Sequence, residues 1–307
     1  MPVGIISHHD CINHNMGDEH PESPARLAAI QDQLISSGLE YAVRQFDADP
    51  IDRNLLELAH DKSYVDSIFK HSPKEGSYQL DSDTIMNPHS LNAALLAAGA
   101  AINAVDMVMQ DKLTSVFCAT RPPGHHAERD KSMGFCIFNN VAIAALYAQK
   151  KYQLDRVAVL DFDVHHGNGT ENILTDKKGF LFCSIFQHPF YPHSGTGEHP
   201  QHIINTPLDA TASSDEFRNA VVENWLPAVK KFKPQLILIS AGFDAHAEDD
   251  MSQIRLYEQD YRWVSEEIKK LANQFCSGRT VSVLEGGYSL GALGRSVVAH
   301  INGLIGN

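Results

Sequence analysis

The sequence of 307 residues predicts an α/β fold with a parallel sheet. Short, continuous apolar runs alternate with helical patterns from one end of the chain to the other. Such runs are typical of parallel strands covered on both faces, and their alternation with helices indicates a parallel sheet. Because no internal repeat or low-complexity linker divides the chain, we expect residues 1–307 to form a single domain.

Two helices are predicted in the first third of the chain. The stretch ESPARLAAIQDQLISSG has Ser23 as its cap, Pro24 at its first position and Gly38 after its end, and its apolar residues share one face. A longer helix begins at Ser90, in SLNAALLAAGAAINAVDMVMQ. It is apolar nearly all round and is therefore expected to be buried.

Two further helices are predicted in the last third. Ser213 and Glu216 have the spacing of a capping box that opens a helix running through Trp225, and Pro227 is expected to kink or split that helix. The stretch YEQDYRWVSEEIKKLANQF is amphipathic with a helical period.

Five strands are predicted between the helices. Each is a short apolar run followed by polar or glycine-rich residues. The runs cover residues 115–119, 156–162, 180–184, 236–240 and 280–285.

Charge and cysteine content disfavour several classes of protein. The formal net charge of −13 disfavours nucleic acid as the main partner. The five cysteines are widely spaced with no CxxC pair, which predicts buried, reduced thiols rather than a disulfide framework. The first residues lack the basic and apolar regions of a signal peptide, and no apolar run approaches the roughly 20 residues of a membrane span. We therefore expect a cytoplasmic protein that does not contact a membrane.

Polar residues follow four of the predicted strands. The segments are TRPPGHH after the first, DFDVHHGNG after the second, AGFDAH after the fourth and EGGY after the fifth. In an open α/β sheet, ligands bind outside the carboxyl ends of the strands. The four segments are therefore expected to meet at one site.

The spacing within DFDVHHGNG indicates a metal site. Asp161, Asp163 and His165 are spaced by two, so in an extended chain they point to the same side. Two such ligands with a third from another strand, for which Asp244 is the natural candidate, would give the open three-ligand site that catalytic zinc requires. The alternative is a surface strand with a polar end, which the preceding buried strand disfavours.

His125, His126 and Tyr288 are candidates for proton transfer and for stabilising negative charge. A pair of histidines beside a metal site suits acid–base work near neutral pH, and a tyrosine after two glycines can aim its hydroxyl at a developing oxyanion. The alternatives are histidines satisfied in the core or exposed to solvent, and a tyrosine that merely occupies a turn.

Taken together, RPPGHH, GFCIFNN, DFDVHHGNGT, SAGFDAH and LEGGYSL, in this order, resemble the histone deacetylase family, and HPESPARL matches its class II branch. The resemblance covers nearly the whole chain. It implies the arginase/deacetylase fold, in which one α/β domain has a central, mainly parallel eight-stranded sheet with helices on both faces.

The resemblance also implies roles for individual residues. A catalytic Zn²⁺ would be bound by Asp163, His165 and Asp244. His126 would act first as the general base and then as the general acid. His125, hydrogen-bonded to Asp161, would be its electrostatic partner, and Tyr288 would polarise the acyl carbonyl. Asn168 stands at a position where another branch of the family has Asp, and an Asn there agrees with class II. Asn168 lacks the charge that would raise the basicity of His126.

Two further sites are implied in the same way. A narrow channel for an acyl-lysine side chain would be lined by Gly134, Phe135 and Tyr191. A structural K⁺ would be held by Asp161, Asp163, Ser184 and backbone carbonyls that include that of His165. The alternative for Ser184 is an ordinary residue at a strand end.

The preferred function is zinc-dependent deacetylation of acetyl-lysine in proteins or peptides, by a protein that could form homo-oligomers. An acetylpolyamine amidohydrolase is the closest alternative, because Glu248, Asp249 and Asp250 could attract a cation near the mouth of the channel. The apolar Met251 at the expected gatekeeper position disfavours it. A two-manganese ureohydrolase is less favoured because the sequence lacks the carboxylates that it needs. His246 is interpreted as a structural residue or a neighbour of the ligands rather than as an extra ligand. A non-catalytic binding module is less favoured because every catalytic motif is present.

Overall fold

A parallel sheet of eight strands forms the centre of the molecule. The computed structural model describes residues 3–306. In this range the strands are β1 (Val3–Ser7), β2 (Val43–Asp47), β3 (Tyr78–Gln79), β4 (Ile85–Met86), β5 (Ser115–Cys118), β6 (Val157–Asp161), β7 (Phe180–Gln187), β8 (Ile203–Leu208), β9 (Leu236–Ala241) and β10 (Thr280–Leu284). The order across the sheet is β2-β1-β5-β10-β9-β6-β7-β8, and β3 pairs with β4 in a separate antiparallel hairpin. The predicted α/β class is confirmed, and all eight strands of the sheet run parallel.

The five predicted strands are present, with bounds that differ by up to three residues from the predicted ones. Three strands of the sheet were not predicted. The two edge strands β2 and β8 are partly exposed, and β8 contains Pro207, so neither is a continuous apolar run. Strand β1 is short and contains Gly4, which weakens its strand pattern.

The helices in this range are α1 (Ala25–Ser36), α2 (Arg53–Leu56), α3 (Lys62–His71), α4 (Ser90–Met109), α5 (Asn140–Tyr152), α6 (Asn168–Leu174), α7 (Ser214–Ala220), α8 (Leu226–Phe232), α9 (Glu258–Phe275) and α10 (Leu290–Ile305). The expected cap of α1 is wrong: the residue before the helix is Pro24, and Ser23 accepts a hydrogen bond only through its backbone carbonyl. The capping box of Ser213 and Glu216 is present. A π-helical segment, Val221–Trp225, separates α7 from α8 just before Pro227.

Helix α4 is long and apolar enough to cross a membrane by length and composition alone, with a mean hydropathy of 1.5. The expectation that no apolar run approaches that length was therefore wrong. Its most apolar window is 67% buried within the protein, where it packs against α5, β5 and β10. The apolar surface of α4 thus belongs to the core, which explains why it is apolar nearly all round.

The core lies on both faces of the sheet. Successive residues of each strand face opposite sides, so Val157 and Val159 pack in one apolar cluster while Ala158 and Leu160 pack in the other. Helices α4 and α5 cover the first face, and α1, α9 and α10 contribute to the second. Burial on both faces explains why the central strands are continuous apolar runs.

Candidate active site

The four strands that are followed by polar residues are consecutive neighbours in the sheet. In spatial order they are β5, β10, β9 and β6. Because all of them are parallel, their carboxyl ends lie at the same edge of the sheet. The loops after these strands carry the site residues to one place.

Asp163, His165 and Asp244 come together as a buried cluster. One potential ligand atom from each residue lies within 4.8 Å of the other two. His165 Nδ1 is 3.0 Å from Asp163 Oδ1 and 3.2 Å from Asp244 Oδ2. Two carboxylates and one imidazole are a donor set that suits a metal ion such as zinc.

The electrostatics of this cluster fit a bound cation. Burial alone would lower the pKa of His165, but its hydrogen bonds with Asp163 and Asp244 raise it to about 9. Burial and the neighbouring Asp163 raise the pKa of Asp244 to about 6. Asp244 Oδ2 is also buried, and apart from its 3.2 Å contact with His165 Nδ1 it has no hydrogen-bond partner among residues 3–306. A divalent cation would neutralise the two carboxylates and satisfy that oxygen.

Gly286, after β10, allows the backbone to approach the cluster closely. Its N–H donates a hydrogen bond of 2.8 Å to Asp163 Oδ2. A Cβ atom at this position would lie 2.0 Å from Asp244 Oδ2. The first glycine of EGGY is therefore required by the packing of the two carboxylates.

The rings of His125 and His126 lie side by side, tilted by 45°, but have different partners. Their ring centroids are 4.0 Å apart. His125 Nδ1 is 3.0 Å from Asp161 Oδ2, and His126 Nδ1 is 2.8 Å from Asn168 Oδ1. Burial would lower the pKa of His125, but Asp163 and Asp161 raise it to about 10. Burial and the neighbouring His125 and His165 hold the pKa of His126 well below its usual value.

These opposite shifts divide the work of the two histidines. They favour the charged form of His125 and the neutral form of His126, and a neutral imidazole has one ring nitrogen that can accept a proton. Pairs of titratable groups whose pKa values are driven apart in this way are characteristic of acid–base sites.

Glu285 anchors the loop that carries the histidines, and the sequence did not single it out. Its Oε2 accepts hydrogen bonds from the N–H groups of Gly124 (2.7 Å) and His125 (3.0 Å). Burial raises the pKa of Glu285 to about 7. Its position as the first polar residue after β10 was the only sequence signal for this role.

Tyr288 is held in place by two residues that also were not predicted to have this role. The guanidinium of Arg26 lies 5.0 Å from the centre of the Tyr288 ring and donates to the carbonyls of Glu285 (2.5 Å) and Gly287 (2.7 Å). Asp249 accepts a hydrogen bond from Tyr288 N–H. Burial and the charge of Asp244 raise the pKa of Tyr288 well above its usual value, so its hydroxyl keeps its proton and can donate a hydrogen bond.

A cavity of about 240 Å³ leads to the cluster. Phe135 and Tyr288 meet edge to face with ring centroids 5.9 Å apart, and Tyr191 meets His126 in the same way at 5.2 Å. Gly134 has a φ of +57°, and a Cβ atom there would lie 2.3 Å from the His126 ring. The full lining is Asp83, His126, Gly134, Phe135, His165, Phe190, Tyr191, Met251 and Tyr288. Phe190, stacked on His165, and Asp83 were not predicted.

The acidic stretch near the mouth is not the free cation-attracting surface that the sequence suggested. Glu248 is paired with Arg295 at 2.8 Å, and the carboxylate of Asp249 is buried against backbone N–H groups. Glu248 and Asp250 are both exposed, so Asp250 is the one exposed carboxylate of the three for which no ion pair is found among residues 3–306. His246 lies outside the metal cluster, with Nδ1 accepting a hydrogen bond from Glu248 N–H.

The residues of the expected potassium site lie close together. Asp161 and Ser184 are register partners on β6 and β7. Asp161 Oδ1 accepts from Asp163 N–H, and the Ser184 hydroxyl contacts His166 Nδ1 at 3.1 Å. Potassium binding by Asp161, Asp163, His165 and Ser184 stays a prediction.

A family model, described as the histone deacetylase domain, matches residues 20–304. The chain belongs to the histone deacetylase family. It is 36% identical to a probable deacetylase of Archaeoglobus fulgidus, over 95% of this chain and 83% of that protein. It is 35% identical to the histone deacetylase-like amidohydrolase of Pseudomonas aeruginosa, over 88% of this chain and 73% of that protein.

The fold agrees with this assignment to the histone deacetylase family. The crystal structure of the HDA15 HD domain superposes with a TM-score of 0.93 at 30% identity, covering 99% of this chain and 88% of that one. Some relatives are much longer: the chain spans 28% of type-2 histone deacetylase 1 of Dictyostelium discoideum. The eight-stranded sheet is therefore that of a histone deacetylase domain, consistent with the arginase/deacetylase fold implied by the sequence.

Proposed function

We propose that this histone deacetylase family member is a zinc-dependent enzyme that removes acetyl groups from lysine side chains in proteins or peptides. The observation that carries the proposal is the meeting of the Asp163, His165 and Asp244 cluster with His126 and Tyr288 at one narrow cavity. Its mostly aromatic and apolar lining suits the thin, apolar stem of an acylated lysine, which has lost its charge.

The cluster of two carboxylates and one imidazole would hold Zn²⁺. When bound, Zn²⁺ supplies a Lewis acid that polarises the acyl carbonyl and acidifies water in the site. His126 accepts a proton from the attacking water at Nε2 and returns it to the departing amine. His125, held by Asp161, contributes positive charge beside the reacting atoms. Tyr288 donates a hydrogen bond to the carbonyl oxygen as negative charge develops there.

An acetylated polyamine is the second candidate substrate. Asp83 lines the cavity and offers one carboxylate to a second ammonium group. Met251, in the same lining, offers none, and the carboxylates of Glu248 and Asp249 are already paired. These contacts favour acyl-lysine over a polyamine.

A panel assay of the zinc-loaded protein tests the proposal. Acetyl-lysine peptides, longer acyl-lysine peptides and acetylpolyamines are compared, with a His126→Ala variant as the inactive control. We expect acetyl-lysine peptides to be hydrolysed with the highest kcat/KM. Chelation should abolish turnover while circular dichroism stays unchanged, because the apolar core on both faces of the sheet does not depend on the metal. Hydrolysis of acetylpolyamines alone, or of none of these amides by zinc-loaded protein, would overturn the proposal.

A further inference from the structure

The side-chain amide of Asn168 lies between His126 and a carboxylate that the sequence did not single out. Asn168 Oδ1 is 2.8 Å from His126 Nδ1, and Asn168 Nδ2 donates a hydrogen bond of 2.8 Å to Glu128 Oε1. The same Nδ2 is 3.1 Å from Met133 Sδ and 3.5 Å from the backbone carbonyl of His126. The nitrogen end of the amide therefore faces acceptors, and its oxygen end faces the catalytic histidine.

The hydrogen-bonding capacity of these groups determines which end of the Asn168 amide faces Glu128 and which end faces His126. An ionised carboxylate only accepts hydrogen bonds, so Glu128 selects the NH₂ end of the Asn168 amide. The carbonyl oxygen of Asn168 then has to face His126, and this oxygen also only accepts. In a neutral imidazole, the proton must therefore be on Nδ1, which leaves the lone pair on Nε2.

We propose that Glu128 is a positioning residue that fixes the tautomer of His126 through the amide of Asn168. The proposal rests on the proposed function, in which His126 accepts a proton at Nε2. It explains how a site with Asn168 in place of a carboxylate keeps its general base in the required form: the charge stands one hydrogen bond further from the ring.

The backbone around Glu128 holds the carboxylate in this position. Its N–H donates to the carbonyl of Lys131 at 3.0 Å, and its own carbonyl accepts from His60 Nδ1 at 2.9 Å. His60 Nε2 in turn accepts from Asn139 N–H at 2.9 Å. The side chain of Glu128 is only 18% exposed, and Lys131 Nζ lies 3.2 Å from the oxygen that contacts Asn168.

Glu128 acts from outside the acyl channel. With Asn168 it lines a second, polar cavity of about 360 Å³ that shares no lining residue with the channel. Glu171 and Asp176 also line this cavity. Two simpler roles for Glu128 must therefore be distinguished from positioning: closing the turn with Lys131, and adding general negative charge to the cavity.

A double-mutant cycle separates these roles. Glu128→Gln keeps the shape of the side chain, but its amide can present either oxygen or NH₂, so the Asn168 amide is free to turn over. We expect a roughly tenfold loss of kcat with KM within twofold, as for other residues that orient a catalytic histidine. Asn168→Asp places an acceptor-only group against His126 directly. In that background Glu128→Gln should cost less than twofold in kcat.

Asp176→Asn is the matched control. It removes an exposed carboxylate from the same cavity, and no hydrogen bond joins Asp176 to Asn168 among the described residues. We expect its kcat to stay within twofold of wild type. If Asp176→Asn lowers kcat as much as Glu128→Gln does, the effect is one of general charge. If Glu128→Gln lowers kcat by the same factor in the Asn168→Asp background as in wild type, its role is structural. Either result overturns the proposal.

A readout that does not need turnover is the ¹⁵N NMR spectrum of the histidine side chains in zinc-loaded protein. The signals of His126 are assigned by their loss in a His126→Ala variant. Wild type should show the Nδ1–H tautomer, and Glu128→Gln should show an increased fraction of Nε2–H. If wild type hydrolyses no acylated amine, the proposed function fails while the tautomer is still measured. An unchanged tautomer in Glu128→Gln contradicts the role of Glu128 itself.

Discussion

At the scale of single residues, the site depends on where each proton is held. Tyr288 keeps its hydroxyl proton because burial and Asp244 raise its pKa well above the usual value. Asp163 and Asp161 outweigh the effect of burial and raise the pKa of His125, which favours its charged form. The ring of Tyr288 packs edge to face against Phe135, and both rings line the channel. Removing one hydroxyl should therefore affect chemistry and leave packing nearly intact.

Tyr288→Phe tests this at the level of one oxygen atom. Loss of a donor of this kind typically lowers kcat by about 10²–10³. We expect that loss on acetyl-lysine peptides with unchanged zinc content and melting temperature. Trifluoroacetyl-lysine should lose less, because its carbonyl needs less polarisation. Tyr41→Phe, at an 88% exposed residue, is the matched control and should behave as wild type. Near wild-type turnover of acetyl-lysine by the Tyr288→Phe variant would leave Tyr288 with no role beyond the turn.

At the scale of secondary-structure elements, one carboxylate joins the loops after β9 and β10. Asp249 Oδ2 accepts from the N–H groups of Tyr288 (2.6 Å) and Ser289 (2.9 Å), and its Oδ1 accepts from Met251 N–H at 3.0 Å. The loop after β9 also carries Asp244 of the candidate metal cluster. Asp249 therefore ties the loop that carries Asp244 to the loop that carries Tyr288.

Asp249→Asn should uncouple these two loops. The amide NH₂ of asparagine cannot accept a hydrogen bond, so an N–H of Tyr288, Ser289 or Met251 loses its partner. Displacement of a catalytic group by about 1 Å can cost on the order of 10² in rate, and we expect a loss of that order in kcat with zinc content unchanged. In the Asp249→Asn variant, the further change Tyr288→Phe should lower kcat by a much smaller factor than it does in wild type. The reason is that both changes act through the hydroxyl of Tyr288. Asp250→Asn, at the exposed neighbour, is the control. Additive losses in the double variant would contradict this coupling.

At the scale of the whole molecule, polar groups inside the core make stability depend on pH. His300 on α10 lies between α9 and β10, with Nδ1 2.6 Å from the Ser265 hydroxyl and Nε2 2.8 Å from that of Ser282. Burial lowers the pKa of His300 to about 3. In the unfolded chain a histidine has a pKa of about 6.5, so between these values the unfolded state binds more protons. His300 therefore stabilises the folded state fully above pH 6.5, and this contribution is lost as the pH falls towards 3.

Urea unfolding of wild type and His300→Asn at several pH values checks this sign. Between pH 6.5 and 4, wild type should lose about 3 kcal/mol more of its free energy of unfolding than the variant, whatever the variant's stability at pH 7. His9→Asn, at a side chain that is 80% exposed, should keep the wild-type pH dependence. Parallel curves for wild type and His300→Asn would mean that His300 is not neutral in the folded protein.

The sequence by itself determined the class of the fold and the principal residues of the candidate site. Central strands are buried on both faces, so their apolar runs stand out, and the polar residues after them are placed by strand direction alone. The alternation of Asp163 and His165 is likewise a local property of an extended chain. The expectation that they would meet Asp244 needed only the further step that parallel strands end at one edge.

Only the tertiary structure decided the order of the strands, the edge strands and the partners that orient the site. Strands β2 and β8 lie at the edges of the sheet, where one side of each has no neighbouring strand. They are therefore partly exposed and do not show the continuous apolar run that identifies a central strand in the sequence. Glu128, Asp249 and Glu285 act through backbone N–H groups or an amide that are 39 to 161 positions away in the chain. Contacts of this kind depend on the path of a loop in space, and that path follows from packing of the whole core rather than from any local spacing of residues.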